Sequence, residues 1–282
     1  MSRFVLLGHP VSHSVSPEIH SAAYRALGLS HRYELVDCPD AAAFEVAISE
    51  LRQGLAAGAN VTLPHKARAL ALADDADALA RETDAANVLV RRDGGIVAYN
   101  TDVIALVDEL AVHAPSATSA VIFGAGGAAR AAVSACRARG LREITVVARR
   151  FSAAEPLSRI GVHRCAWPTT EHANSALADL LSGADLLIQA TSAGMRGGPP
   201  GEVVADLVPW ERVPASALAY DVVYTPAVTP FLDAARRRGL GARGGLGMLV
   251  GQAAAAIRVW LDVEPPLREM EAAARRALRA EA

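Results

Sequence analysis

Ala120-Val121-Ile122-Phe123-Gly124-Ala125-Gly126-Gly127-Ala128-Ala129-Arg130 decides the fold. Its four apolar residues read as a buried strand. The glycine-rich segment then leads into a helical pattern from Arg130 to Arg139, with Gly140 as its C-terminal stop. A Gly-x-Gly-x-x-Ala run alone is a weak signal. Between strand and helix it has a physical purpose: a tight turn, close backbone approach to a pyrophosphate, and tight packing of the helix. The stretch predicts a dinucleotide-binding unit.

Downstream, Glu143 to Ala148 reads as the next strand and ends in Arg149-Arg150. A site for NAD usually places a carboxylate there for the ribose hydroxyls, whereas arginine suits a 2′-phosphate and therefore NADP. Glu155 lies too far along to serve as that carboxylate, and an exposed basic turn is the alternative reading of the arginines. Asp185 to Gln189 is another buried strand, followed by Ala190-Thr191-Ser192-Ala193-Gly194-Met195 and a Gly/Pro-rich loop at Gly197 to Gly201. Leu218 to Val223 is a further strand, then come Tyr224-Thr225-Pro226 and a helix from Thr229 to Arg238. Gly244-Gly245-Leu246-Gly247-Met248-Leu249-Val250 opens a long alanine-rich helix through Trp260, and Met270 to Arg279 forms a last amphipathic helix.

Upstream, Pro115 to Ser119 reads as a linker and Val103 to Ala111 as a helix leaving a first α/β domain. Arg3 to Leu7 is a buried strand broken by Gly8-His9-Pro10, with a loop at His13 to Pro17 and a helix from Glu18 to Leu27. Ser16 before Pro17 has the form of an N-cap. Capping alone would explain it, but Ser14 two residues earlier points the same way in an extended loop, and two hydroxyls beside helix N–H groups suit a carboxylate. A strand at Arg32 to Asp37 and a helix at Ala41 to Leu51 lead to Gly58-Ala59-Asn60-Val61-Thr62-Leu63-Pro64-His65-Lys66.

Lys66 is the only lysine of the chain, against twenty-seven arginines. Where a positive charge suffices, arginine has replaced lysine. What survives should be the position that needs an amine, because an ammonium can give and take a proton and a guanidinium cannot. Lys66 falls at a strand's carboxyl end and in the first turn of a helix, where open α/β sheets bind ligands. A hairpin follows at Val88 to Arg92, Asp93-Gly94-Gly95 and Ile96 to Tyr99, ending in Asn100-Thr101-Asp102. Asn60, Asn87 and Asn100 are three of the four asparagines and all flank these strand ends. Each alone suits a turn; together they point to a site.

The bulk properties narrow the function classes. The length of 282 residues suits two domains, and a net charge of −2 with no dense basic run beyond Arg236-Arg237-Arg238 indicates neither a nucleic-acid footprint nor a membrane-attracted face. Cys38, Cys136 and Cys165 have neither metal-ligand nor redox spacing, which predicts free thiols in the cytoplasm and no metal. The N-terminal apolar run is too short for a signal segment, and no stretch approaches the roughly 20 apolar residues of a membrane span.

The combination resembles shikimate dehydrogenase and its paralogues over nearly the whole chain. The resemblance is carried in family order by Ser14 and Ser16, the Asn-Val-Thr-x-Pro-x-Lys run ending at Lys66, Asn87, Asn100-Thr101-Asp102, the Gly-Ala-Gly-Gly-Ala-Ala loop, the Ala-Thr-Ser-x-Gly-Met run and the Met-Leu-Val-x-Gln run ending at Gln252. It implies an N-terminal α/β substrate domain and a Rossmann-like NADP-binding domain, with the C-terminal helices returning to the first. The expected boundaries are 1–103 with 243–282, and 104–242. The cleft between the domains would hold both ligands and close on them.

The resemblance also implies reversible NADPH-dependent reduction of 3-dehydroshikimate to shikimate, a step in aromatic amino-acid biosynthesis. Lys66 would be the acid/base and Asp102 its partner. Ser14 and Ser16 would hold the substrate carboxylate; Asn60, Thr62, Asn87, Gln252 and Tyr224 would contact the substrate or order the lysine. Gly124, Ala125, Gly126, Gly127, Ala128, Ala129, Arg149, Arg150, Thr191, Ser192, Met195, Val222, Gly245 and Met248 would hold NADP. The chain departs from the family at Val103-Ile104-Ala105, where Gly-x-Gly is usual after Asp102, at Val88, where threonine is usual, at Gln189, where asparagine is usual, and at Ala148-Arg149-Arg150, where Asn-Arg-Thr is usual. These keep open a paralogue acting on quinate or aminoshikimate, with NAD as an alternative cofactor, and leave a homodimer open. A catalytically silent NADP-binding sensor is the rival from another class. It has no need for a sole lysine paired with Asp102.

Overall fold

The computed structural model describes residues 1–151, 162–168 and 171–280. They divide into two compact units, Met1–Ala105 with Val250–Ala282, and Leu106–Leu249. Both boundaries fall inside helices, and the return to the first unit begins at Val250, later than the sequence reading near Arg243.

The first unit contains β1 (Arg3–Gly8), α1 (Ser16–Ala26), β2 (Arg32–Asp37), α2 (Ala41–Arg52), β3 (Gly58–Val61), α3 (Lys66–Leu72), β4 (Asp75–Ala76), α4 (Ala78–Thr83), β5 (Val88–Arg92), β6 (Gly95–Tyr99) and the start of α5 (Thr101–His113). Its sheet has the order β2-β1-β3-β5-β6-β4. β1 lies parallel to β2 and β3, while β5 pairs antiparallel with β3 and β6. The β5–β6 turn is Asp93-Gly94, both at positive φ, which matches the twist of a two-residue hairpin.

β1 is buried from Phe4 to Gly8, and its side chains alternate between two layers. Val5 and Leu7 join Phe44, Ile48 and Leu51 of α2 in one core. Phe4 stacks on Trp260 at 4.7 Å and meets Tyr24 of α1 at 5.9 Å. Trp260 also donates from Nε1 to the Leu89 carbonyl at 3.1 Å, and any side chain at Gly58 would run into its indole.

The second unit begins within α5 and contains β7 (Ser119–Phe123), α6 (Gly127–Ala138), β8 (Glu143–Ala148), β9 (His163–Ala166), α7 (Glu171–Leu181), β10 (Leu186–Gln189), α8 (Glu202–Ala205), β11 (Leu218–Asp221), α9 (Pro230–Arg237) and β12 (Gly241–Gly244). Its six strands are all parallel in the order β12-β11-β10-β7-β8-β9. This is the doubly wound arrangement, with its switch point between β7 and β10. Buried side chains of α7 and α9, among them Leu177, Leu181, Phe231 and Leu232, form a core with Val121, Phe123 and Leu187 of the sheet. The chain then continues through α10 (Leu246–Leu261) and α11 (Leu267–Ala280).

Ala105 stands where the resembling family has glycine, and the space it needs comes from Gly251. A Cβ added at Gly251 would lie 3.1 Å from the Ala105 Cβ, tighter than ordinary van der Waals contact. Gly251→Ala should therefore lower stability by about 1–3 kcal/mol through overpacking, and Ala105→Gly in the same chain should recover most of the loss. Denaturant melts of the two single variants and the double variant check this; simple additivity would show that the two positions do not share the space.

Candidate active site

In the first unit, β3 and α3 place Lys66 as the first residue of its helix. His65 in the cap position stacks on Phe44 at 4.5 Å, and its Nε2 lies 2.7 Å from the Cys38 carbonyl oxygen. The Lys66 carbonyl accepts from Ala86 N–H at 2.9 Å. The backbone around the lysine is thus held on two sides. Its Nζ donates to Asp102 Oδ2 at 2.5 Å, the side chains being 18% and 6% exposed. A charge pair this dry persists only if its remaining lone pairs are satisfied.

Asn87 does that. Its Nδ2 donates to Asp102 Oδ1 at 2.9 Å and to Thr101 Oγ1 at 2.9 Å, and lies 3.4 Å from Gln252 Oε1. Its Oδ1 accepts from Thr101 N–H at 2.7 Å. Thr101 Oγ1 lies 3.1 Å from the Gln252 carbonyl, so the start of α5, the Asn87 loop and α10 are laced together inside this unit.

The three asparagines take different roles. Asn60 accepts from the Tyr33 hydroxyl at 2.7 Å and donates to the Asn87 carbonyl at 3.3 Å. Asn100 caps α5: its Oδ1 accepts from Asp102 N–H at 3.1 Å while its Nδ2 donates to Thr83 Oγ1 and the Ala85 carbonyl. Only Asn87 touches Asp102 directly through its side chain. No sequence pattern singles out Tyr33 or Thr101 as a site residue. Thr101 lies between two assigned residues, and no local pattern marks a strand tyrosine as the partner of a residue 27 positions away.

The capping reading of Ser16 is corrected. α1 starts at Ser16, Val15 occupies the cap position and no side chain caps the helix. Ser14 supplies the local bonds instead, its Oγ donating to Ser16 Oγ at 3.0 Å and accepting from Ser16 N–H at 3.3 Å. The two hydroxyls are therefore adjacent, as a pair aimed at one anion requires. Thr62 is half-buried after β3, and its methyl occupies the space that any side chain at Gly8 would need. One turn beyond Ser16, His20 is fully buried and lies flat on Tyr33 at 4.0 Å; burial pushes its imidazole down to about 3.

In the second unit the glycine loop follows β7. Gly124 has φ +118°, and a Cβ there would fall 2.9 Å from the Ala190 carbonyl across the switch point. Gly126 caps α6 without a side-chain hydrogen bond, and a Cβ on it would meet nothing within 4 Å. Ala129 is fully buried. Ala125, Gly127 and Ala128 are half-buried around the helix start, whose first-turn N–H groups have no partner within the helix. These features fit a pyrophosphate. Arg149 and Arg150 are exposed just beyond β8, and Glu155 lies outside the described residues.

Gln189, the departure from asparagine, is buried and braces the next loop. It donates to the Ala193 carbonyl at 2.8 Å and accepts from Thr191 N–H at 2.5 Å, while Thr191 Oγ1 accepts from Ala193 N–H. Ser192 and Met195 continue that loop, the Met195 N–H donating to the Ser192 carbonyl at 3.2 Å. Gly245 packs under Val222, whose carbonyl occupies the place of any side chain there. Tyr224 belongs to this unit, on the loop after β11. At the end of β11, Asp221 accepts from Thr229 Oγ1 at 2.6 Å and Val223 N–H at 2.9 Å, yet burial outweighs both bonds and raises its carboxyl to about 7.

Asp221 and His20 give the two units opposite responses to pH. The native His20 refuses a proton that the unfolded chain takes below pH 6.5, so the first unit loses stability as pH falls from 6.5 toward 3. The native Asp221 keeps a proton that the unfolded chain releases above 3.8, so the second loses stability as pH rises from 3.8 toward 7. Each slope is about 1.4 kcal/mol per pH unit at its steepest. Asp221→Asn should remove the second slope and leave the first, read by urea melts from pH 4 to 7; an unchanged profile would contradict it.

Among the described residues no cluster of His, Cys, Asp and Glu is arranged to hold a metal, and no helix is long and apolar enough to cross a membrane. Residues 6–89 match the family model described as the shikimate dehydrogenase substrate binding domain, and residues 245–275 match the shikimate 5'-dehydrogenase C-terminal domain. The shikimate dehydrogenase (NADP(+)) of Chelativorans sp. is 41% identical over 270 residues, covering 94% of this chain and 92% of that protein. The corresponding Rubrobacter xylanophilus protein is 39% identical, covering 98% and 95%. Among solved structures, the shikimate 5-dehydrogenase of Thermus thermophilus in complex with NADP(H) and shikimate superposes with a TM-score of 0.83 at 35% identity, covering 99% of this chain and 100% of that one. The dry lysine–aspartate pair in one unit, the glycine loop in the other and this likeness along almost the whole sequence have one explanation: the chain belongs to the shikimate dehydrogenase family.

Proposed function

We propose that the chain catalyses the reversible NADPH-dependent reduction of 3-dehydroshikimate to shikimate, with Lys66 as the acid/base. The observation that carries this is the Lys66–Asp102 contact at 2.5 Å, held by Asn87 and largely shielded from water. NADPH, when bound, supplies the hydride to the carbonyl carbon. In that direction the Lys66 ammonium polarises the carbonyl oxygen and gives it a proton; in the reverse direction the amine takes the hydroxyl proton. Asp102 keeps the ammonium oriented, and Asn87 fixes Asp102 through its second oxygen.

Ser14 and Ser16 bind the substrate carboxylate with adjacent hydroxyls at the uncapped start of α1. Thr62, Asn60 and Gln252 shape the surroundings of the lysine, and Tyr224 is a further substrate contact. Gly124 to Ala129 hold the pyrophosphate, and Arg149 and Arg150 pair with the 2′-phosphate. Thr191, Ser192, Met195, Val222, Gly245 and Met248 border the rest of the dinucleotide. The thiols Cys38, Cys136 and Cys165 are free, in keeping with an enzyme of the cytoplasm.

The test is a rate comparison of shikimate and quinate, each with NADP and NAD. Shikimate with NADP should be fastest. A quinate rate above the shikimate rate would reassign the substrate, and tight NADPH binding without any turnover would make the chain a sensor.

A further inference from the structure

The first turn of α10 reads Leu246-Gly247-Met248 after Gly245, and it has no side chain with which to cap itself. A side chain at Gly245 would run into the Val222 carbonyl, and one at Gly247 into the Glu109 carboxylate. The helix start must therefore be held from outside.

Two side chains of the same unit do this. Tyr220 on β11 is fully buried, and its hydroxyl donates to Glu109 Oε2 at 3.2 Å and faces the Met248 backbone N–H. The Glu109 carboxylate lies against Gly247, where negative charge suits the helix N-terminus. Burial and the neighbouring Glu109 charge hold the Tyr220 phenol well above its ordinary value, so it remains a donor. Behind Glu109, His113 Nε2 lies 4.0 Å away and Arg243 Nε donates to His113 Nδ1 at 3.4 Å.

The location gives this pair a purpose. The glycine loop follows β7, and the arginines that suit a 2′-phosphate follow β8, on one side of the switch point; β10, β11 and β12 lie on the other. A dinucleotide laid across the strand ends with its phosphate-bearing adenosine at β8 brings its nicotinamide toward β11 and β12. Gly245 and Met248 follow β12 directly.

We propose that Tyr220 and Glu109 are positioning residues that cap α10 from outside and thereby set Met248 against the nicotinamide end of the cofactor. This rests on the NADP-dependent reading above. Neither residue touches the reacting atoms; their effect passes through the helix turn. Loss of either should misplace the nicotinamide and leave the adenosine half bound as before.

The experiment uses the full chain with Tyr220→Phe, Glu109→Ala, Glu109→Gln and the Tyr220→Phe/Glu109→Ala double variant. The readouts are kcat for shikimate oxidation and the Kd of 2′-phospho-ADP-ribose, which lacks nicotinamide. Tyr220→Phe and Glu109→Ala should each lower kcat about tenfold, with the fragment Kd moving less than about twofold. The double variant should be no worse than the weaker single, because both remove one cap, and Glu109→Gln should recover most of the activity since it still accepts from Tyr220. Wild-type-like kcat in either truncation, multiplied losses in the double, or a fragment Kd that weakens in step would each overturn the proposal. Failure of the activity reading would show in the unsubstituted chain, and failure of the positioning in the variants alone.

Discussion

Lys66→Ala should lower turnover by about 10³-fold while NADPH binding changes little, since positioned acid/base groups contribute on that order. The groups proposed to hold the cofactor are the glycine loop and the arginines of the second unit, and the lysine, in the first unit, is not among them. Lys66→Arg should be nearly as inactive, because the guanidinium keeps the charge beside Asp102 and cannot release a proton at any working pH. That pair of variants separates proton transfer from charge. Steady-state rates with shikimate and a fluorescence titration with NADPH check it, and substantial activity in the arginine variant would reduce Lys66 to an electrostatic role. The alanine substitution also disturbs Asp102, whose carboxylate would lose the Lys66 bond and keep that of Asn87. A melting curve for each variant distinguishes lost chemistry from lost structure.

Replacing Arg149 and Arg150 together by alanine should lower kcat/KM for NADPH about a hundredfold and leave the value for NADH within about twofold. Charge-assisted hydrogen bonds of about 1.5–3 kcal/mol each account for a loss of that size. The two arginines are exposed beyond β8 and carry little packing, so the fold should tolerate the change. Equal losses with both cofactors would show that the arginines serve the loop and not the 2′-phosphate. High salt should weaken NADPH binding in the unsubstituted chain more than in the variant, because screening acts on the interaction that the variant lacks.

The parts of the fold that could be read from the sequence are those where a local pattern has one physical explanation. Ala120 to Phe123 followed by glycines could be little else than a buried strand leading to a helix, and the structure places β7 and α6 there. Lys66 was conspicuous because arginine had displaced lysine everywhere else, and it does open a helix at a strand end. Short or polar elements escaped. β9 is mostly exposed and lacks an apolar run, while β12 reads Gly-Ala-Arg-Gly; both exist because an existing parallel edge offers them partners.

The site was legible as a set of residues and not as a network. Ser16 had the chemistry of a cap, yet Ser14 reached its N–H first and shifted the helix start. Asn100 was grouped with Asn60 and Asn87 by proximity in sequence, whereas its bonds place it at the head of α5. Tyr33 and Tyr220 act through hydroxyls buried among residues distant in the chain, and strand periodicity reports only that they point inward. Long-range hydrogen bonds leave no spacing signature.

The Lys66–Asp102 contact also makes the protein its own spectroscopic probe. With one lysine in the chain, protein grown on isotopically labelled lysine carries a single side-chain nitrogen signal, already assigned by composition. That nitrogen sits 2.5 Å from a carboxylate oxygen, so its chemical shift is sensitive to any change in that contact. A titration with shikimate would then report whether the substrate reaches the lysine–aspartate pair, in the intact enzyme and without any substitution.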